Sequence, residues 1–305
     1  MSDAATPAIY TEGLGKRYGK TVALEGLNLQ VAPGEVYGFL GPNGSGKTTT
    51  IRLLLGVHRA TSGRGEVFGV DAWREPQRAH QRLAYVAGEP YLWPAMTVAD
   101  TLTFLGAVRG ARDVAYENEL IERFQLETDK KVRALSKGNR QKVQLVSAFA
   151  ARPDLLLLDE PTSGLDPLME VAFRKTVREA KARGQAVFLS SHILSEVEAL
   201  CDRVGILREG RLVEQGTLDQ LRHLSAETVE VVFRDTPPTL QLPENARQTH
   251  AGVHELQFDV TGEVGPLLKV LAEHEVVSLT TRKPSLEEIF LHHYQGSPVA
   301  AAGQS

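Results

Sequence analysis

The sequence predicts an α/β fold with a mixed, mainly parallel core sheet, followed by a small α+β unit. Three stretches carry that prediction. Residues 35–55 pass from an apolar run, Glu35-Val-Tyr-Gly-Phe-Leu40, through Gly41-Pro-Asn-Gly-Ser-Gly-Lys-Thr-Thr49, into helix-period apolar positions at Thr50-Ile-Arg-Leu-Leu-Leu55. Residues 155–158 are all leucine, set between Arg152-Pro153-Asp154 and Asp159-Glu160-Pro161, which is the texture of a strand buried on both faces. Beyond Leu224 the pattern shifts to alternating strands and short amphipathic helices.

Taken in order, residues 8–40 read as antiparallel strands turned at Tyr18-Gly19-Lys20 and Pro33-Gly34. After the glycine-rich loop a helix runs to about Val57 and is broken by Thr61-Ser62-Gly63. Residues 66–70 and 82–86 are short strands, and Ala87-Gly88-Glu89-Pro90-Tyr91-Leu92-Trp93-Pro94 is irregular. Thr97 is an N-cap for a helix carrying Val98, Leu102 and Leu105, and residues 116–126 give a second helix. The block from about 90 to 150 therefore looks like a helical insertion between parallel strands. Residues 187–191 are the next buried strand; Leu194, Val197, Leu200 and Cys201 mark a helix face. Residues 203–207 and 211–215 form a hairpin about Glu209-Gly210. Further on, 229–233 and 255–260 are strands separated by a polar stretch from 235 to 252. A helix at 263–274, a strand at 276–280 and a last helix at 285–294 complete a unit spanning 225–295. At about 70 residues such a unit is near the lower limit for folding alone.

A chain of 305 residues has room for one large domain and a smaller one, here 8–224 and 225–295. Hydrophobic content of 42% and charged content of 24% are ordinary for a globular protein. The net charge of −4 offers no basic field to nucleic acid, so no nucleic-acid partner is expected. The single cysteine, Cys201, cannot form an internal disulfide, which suits a reducing cytosol. Residues 1–7 and 296–305 are small and polar and are expected to be disordered, with no basic start or apolar core of a signal peptide. No stretch approaches the length of a membrane span.

The loop at 41–49 has the chemistry of a phosphate cradle. Gly41, Gly44 and Gly46 let the backbone curl past Pro42 so that successive N–H groups around Asn43 and Ser45 point inward at phosphate oxygens. Lys47 can reach the β- and γ-phosphates, Thr48 can place its hydroxyl on Mg²⁺, and the helix from Thr49 onward adds the positive end of its dipole. Glycine-rich turns also join strands to helices without binding anything. With G-x-x-x-x-G-K-T complete between strand and helix, the implied ligand is a nucleoside triphosphate. Asp159 and Glu160, two acids at the end of a buried strand, are costly unless a cation or substrate uses them. Asp159 suits Mg²⁺ and Glu160 an attacking water, the bland alternative being solvated carboxylates. His192 ends another buried strand, at the sheet edge where ligands bind in such folds, and is equally well an ordinary polar residue. Tyr18 lies upstream; on spacing alone it packs rather than stacks on a base.

With Asp159-Glu-Pro-Thr-Ser-Gly-Leu-Asp166 following Leu135-Ser-Lys-Gly-Asn-Arg-Gln141, residues 8–222 resemble the ATP-binding cassette (ABC) family. The resemblance implies a P-loop NTPase of the ABC ATPase type: a mixed parallel core sheet, an antiparallel β subdomain and a helical subdomain. It also implies ATP and Mg²⁺ held between two copies, one supplying the phosphate loop and the other its signature. Ser136, Gly138 and Asn139 would then meet the γ-phosphate from across the dimer, a role compatible with Ser136 also capping its own helix. By the same carry-over Tyr18 becomes the base-stacking aromatic, Val22 joins the nucleotide-binding set, Glu160 and Lys47 are catalytic, His192 senses the γ-phosphate, and Asp166 sits in the loop that crosses the dimer.

Two departures stand out. Lys137-Gly138-Asn139 replaces the family's usual Gly-Gly-Gln, and Gly88 stands where the family places a Mg²⁺-binding glutamine. Glu89, adjacent, is the substitute ligand, with water the alternative. The C-terminal unit, ending in Pro284-Ser-Leu-Glu-Glu-Ile-Phe290, looks like that of the drug, antibiotic and polysaccharide export branch, whose permease is a separate membrane chain. Residues 87–97 would receive that permease, or else form a loop packing its own aromatics. The resemblance places the chain in the cytoplasm, peripheral to the membrane's inner face. A soluble one-cassette ATPase of cofactor assembly or regulation is the alternative. The face bearing Leu286, Ile289 and Phe290 is expected to brace a dimer.

Overall fold

The computed structural model describes residues 5–223, 227–282 and 287, and among them three sheets carry the architecture. The chain divides into two units, Met1–Gln215 and Gly216–Ser305.

The first unit opens with β1 (Ile9–Tyr18) and β2 (Thr21–Val31), an antiparallel pair. Next comes β3 (Val36–Leu40), all five residues buried, and then α1 (Lys47–Leu54). β4 (Ser62–Val67) and β5 (Val70–Asp71) complete a four-stranded antiparallel sheet in the order β2-β1-β4-β5. The single strand expected over 66–70 is thus a tight hairpin, turned by Phe68 and Gly69 at φ 48° and 75°. A short α2 (Pro76–His80) leads into β6 (Leu83–Val86).

The helical insertion holds α3 (Val98–Arg109), α4 (Val114–Arg123) and α5 (Lys137–Ala150). Thr97 caps α3 through a reciprocal box with Asp100, as its sequence position predicts. α5 leads to β7 (Leu155–Asp159), α6 (Pro167–Ala182), β8 (Ala186–Ser191), α7 (Leu194–Leu200), β9 (Arg203–Arg208) and β10 (Arg211–Thr217).

The core sheet runs β10-β9-β3-β8-β7-β6. β3 pairs in parallel with β8 and β9, and β7 with β6 and β8. This corrects the expectation that residues 8–40 are wholly antiparallel: 36–40 belong to the parallel sheet. Leu155–Leu158, on β7 between β8 and the edge strand β6, are fully buried, each contributing about 2 kcal/mol through apolar burial. Parallel strands all end on one edge, so the loops after β3, β7 and β8 emerge together. That convergence builds the site.

The second unit carries α8 (Leu218–His223), β11 (Glu227–Phe233), β12 (Ala246–Ala251), β13 (Glu255–Val260), α9 (Gly265–Leu271) and β14 (Val276–Arg282). Its sheet order is β12-β13-β11-β14, with Val229, Val231, Phe258 and Val260 packed beneath Leu267 and Leu271. The polar stretch 235–252, read from the sequence only as a separation between two strands, contains β12, paired to β13. The expected last helix, with Leu286, Ile289 and Phe290, and the expected disorder at 1–4 and 296–305 lie outside the described residues. No described helix is long and apolar enough to cross a membrane.

Candidate functional site

Loops at one sheet edge bring Lys47, Thr48, Asp159, Glu160 and His192 together. In the first, Gly46 adopts φ 112° just before α1, a conformation natural to glycine. A Cβ there would also lie 2.5 Å from the Ala23 carbonyl, so β2 presses on the back of the loop. Gly41, Ser45, Gly46 and Lys47 are buried, Pro42, Asn43 and Gly44 exposed, Thr48 and Thr49 half-buried. The Lys47 Nζ donates to the carbonyls of Gly41 (2.6 Å) and Pro42 (3.1 Å). Burial lowers its pKa, and the charges of Glu160 and Asp159 oppose that. Ser45 Oγ is buried with no hydrogen-bond partner. An orphaned hydroxyl inside a curl of amides and beside a lysine fits a phosphate ligand.

The acids follow β7. Asp159 is buried; its Oδ1 accepts from Ser190 Oγ at 2.5 Å and its Oδ2 from Thr48 Oγ1 at 2.9 Å. These bonds tie the ends of β7, β8 and the start of α1 at one carboxylate. Glu160 adopts φ 46°, in the left-handed region where a non-glycine residue is strained. Its N–H donates to the Ser190 carbonyl at 3.0 Å and its carbonyl accepts from the Ser163 N–H at 3.1 Å. So held, its Oε1 lies 3.6 Å from Lys47 Nζ and 3.4 Å from His192 Nδ1. Loop lysine, acid and histidine thus form one cluster.

The structure adds Glu196, a buried carboxylate whose Oε2 accepts from Ser191 Oγ at 3.1 Å, while the same Oγ accepts from the Ile193 N–H at 2.9 Å. Burial raises the Glu196 pKa, opposed by the Thr162 and Ser191 hydroxyls. Sequence reading missed it because it stands next to Val197 inside an otherwise apolar helix face, and no spacing rule marks it.

Ser136 caps α5, its Oγ accepting from the Asn139 N–H at 3.2 Å. A Cβ on Gly138 would collide with the Gly164 carbonyl, so the start of α5 packs directly on the loop after the acids. Asp166 caps α6 through the Met169 N–H. Among the described residues no hydrogen bond or ion pair joins Ser136 or Asn139 to Lys47, Thr48, Asp159 or Glu160. The two halves of the expected site are separate within one chain.

Tyr18 is 42% exposed at the end of β1, its ring edge-on to His58 at 5.8 Å and beneath Lys16 Nζ at 5.0 Å. Val22, opposite Arg17 on β2, is half-buried. Gly88 sits beside the acids: a Cβ there would lie 3.1 Å from the Asp159 carbonyl and 3.6 Å from Glu160 Cβ. Its neighbour Ala87 is clamped by α5, donating its N–H to Gln144 Oε1 (3.0 Å) and accepting from Gln141 Nε2 (3.2 Å). Sequence reading did not single out these glutamines. Glu89 is exposed. Among the described residues no cluster of three or more His, Cys, Asp or Glu side chains is arranged to hold a metal.

Comparison with known proteins agrees with this geometry. The family model described as ABC transporter matches residues 24–163. The bacitracin transport ATP-binding protein BcrA of Bacillus licheniformis is 34% identical over 305 residues, covering 95% of this chain and 98% of that protein. The daunorubicin resistance ATP-binding protein DrrA3 of Streptomyces coeruleorubidus is 36% identical, covering 94% and 96%. A solved ATP-binding subunit of an ABC transporter superposes with a TM-score of 0.67 at 33% identity, covering 70% of this chain and 92% of that one.

Proposed function

The chain belongs to the ABC transporter family as an ATP-binding, ATP-hydrolysing subunit, and from that premise we propose how its residues divide the work. The observation that carries the proposal is the Lys47–Glu160–His192 cluster at the mouth of the phosphate loop.

Loop amides, Ser45 and Lys47 hold the triphosphate, and Tyr18 with Val22 takes the base side. Thr48 and Asp159, joined by one hydrogen bond at 2.9 Å, would hold Mg²⁺, with Glu89 or water as a further oxygen donor. The cation supplies charge neutralisation on the phosphates. Glu160 accepts the proton of an attacking water, and His192, already hydrogen-bond-near to it, orients water and γ-phosphate.

Ser136, Gly138 and Asn139 act on the nucleotide of a second copy. Their separation from the acids within one chain, and the exposed start of α5, support that assignment. ATP then bridges two copies, and hydrolysis releases them. The relatives named for bacitracin transport and daunorubicin resistance support an exporter whose permease is a separate membrane chain, with this subunit on its cytoplasmic face. Residues 87–97, where Tyr91 and Trp93 are exposed, are part of the surface that would receive the permease. The test is ATP-driven dimerisation: Glu160→Gln with ATP and Mg²⁺ runs as a dimer on size exclusion, and a monomer under those conditions overturns the two-copy site.

A further inference from the structure

α7 carries one residue at odds with its buried face. Beside Val197 and Leu200, Glu196 places a carboxylate that is only 3% exposed. An apolar side chain would fill that position at lower cost, because a carboxylate gives up its hydration on burial. The cost is only partly offset. Oε2 accepts from the Ser191 hydroxyl at 3.1 Å, while among the described residues nothing hydrogen-bonds to Oε1, which is itself buried. Glu170, on α6, faces the same group and adds like-charge repulsion. A side chain so ill-suited to stability is accounted for by what it holds.

What it holds are the two turns that carry Glu160 and His192. β8 ends in adjacent serines, whose side chains leave on opposite faces of the strand. Ser190 Oγ donates to Asp159 at 2.5 Å, and Ser191 Oγ donates to Glu196. Ser191 Oγ in turn accepts from the Ile193 N–H at 2.9 Å, closing a bend around His192. Without Glu196 the remaining acceptor for that hydroxyl proton is the Ile193 carbonyl at 3.4 Å, a marginal bond that leaves the bend loose. On the other side Thr162 is buried in the turn after Glu160, with its hydroxyl beside the same carboxylate. One carboxylate thus touches both turns, and the side chains they present, Glu160 and His192, meet at 3.4 Å.

We propose that Glu196 is a positioning residue for His192: it ties the 191–193 bend, through Ser191, to the turn after Glu160, through Thr162, and so sets the Glu160–His192 separation at which water is activated. The inference rests on the roles given above to Glu160 and His192 and adds the residue that keeps them in register.

Phosphate release against ATP concentration, on the full chain with Mg²⁺, tests this as a double-mutant cycle between Glu196→Ala and His192→Ala. Glu196→Ala alone lowers kcat about ten- to a hundredfold, the scale of a slightly misplaced reacting group, with KM for ATP within about twofold. In the His192→Ala background the same change moves kcat by less than about twofold, because its effect passes through the histidine. Glu196→Gln, whose amide oxygen still accepts from Ser191, recovers kcat to within about threefold of wild type. Ser191→Ala cuts the chain of bonds one link closer to His192 and takes the place of Glu196→Ala in the cycle if that variant does not fold, with the same result expected. Equal losses in both backgrounds, a raised KM with kcat kept, or Glu196→Gln as slow as Glu196→Ala overturns the inference and leaves the roles of Glu160 and His192 standing. Wild-type kcat in His192→Ala overturns the reading of His192, and the inference falls with it.

Discussion

Replacing Glu160 by Gln separates its chemical role from its structural one. The carboxylate's contacts are the 3.6 Å approach to Lys47 and the 3.4 Å approach to His192, while its strained backbone is held by Ser190 and Ser163 through main-chain bonds. Gln keeps those main-chain bonds and the side-chain shape, so the fold loses about 1 kcal/mol or less, the scale of a partly exposed ion pair. It cannot accept a proton from water. Loss of a general base costs on the order of 10²–10⁴ in rate, equivalent to about 3–5 kcal/mol of barrier. Phosphate release at saturating ATP should therefore fall by at least about a hundredfold. Equilibrium ATP binding should be equal or tighter, because one negative charge is removed beside the γ-phosphate. The thermal midpoint should stay within a few degrees of wild type. Turnover within roughly threefold of wild type, far below the general-base range, would show that Glu160 is not the base.

Three further outcomes follow from the same geometry. Gly138→Ala gains about 1 kcal/mol in helix propensity, yet its methyl meets the Gly164 carbonyl; net destabilisation of about 1–3 kcal/mol with loss of the ATP-bound dimer is expected, and a raised melting temperature would refute that contact. Glu196 has its pKa raised by burial above the ordinary 4.5, so the native state binds its proton more tightly than the unfolded chain does, and its contribution to stability is present below the unfolded value and lost as pH rises through the native one. Glu196→Gln cannot ionise, so its melting temperature relative to wild type should climb as pH rises above the ordinary value of 4.5, by calorimetry; a gap independent of pH would refute the assignment. Glu89→Ala should raise the Mg²⁺ concentration for half-maximal ATPase about tenfold, the loss typical of a weakened metal site, and an unchanged titration excludes Glu89 as a ligand.

What local pattern revealed, and what it did not, follows the range of the interactions. The all-leucine run of β7 and the cap at Thr97 are local facts, and both are where the sequence puts them. The parallel pairing of residues 36–40 with 187–191 and with 203–206 joins distant segments, so the run at 36–40 looked continuous with the antiparallel strands before it. β12 is Ala-Arg-Gln-Thr-His-Ala, exposed at five of its six positions, without an apolar alternation to read; it is a strand because β13 supplies the hydrogen bonds. α6 was legible and passed over: Asp166-Pro167 is a cap followed by a first-turn proline, and Met169, Phe173, Val177 and Ala180 keep helical spacing on its buried side.

Position 88 shows the same distinction inside the site. Counting from the strand end placed it where the family expects a metal-binding side chain, and the backbone does put it against Asp159 and Glu160. The side chain is missing, but the mechanical link is not. Ala87 is grasped at both its N–H and its carbonyl by Gln144 and Gln141 of α5, the helix whose first residues are the signature. Any shift of α5 must therefore drag position 88 along the face of the acids, or break two hydrogen bonds at about 1 kcal/mol each. The same helix start packs on Gly164, in the loop that follows Glu160. α5 thus touches the acids' neighbourhood from two sides, before Gly88 and after Glu160. A helix so placed, which also lines the cleft beside Trp93 through Gln144, Ser147 and Ala148, would carry a shift of that wall to both flanks of Glu160, the proposed general base.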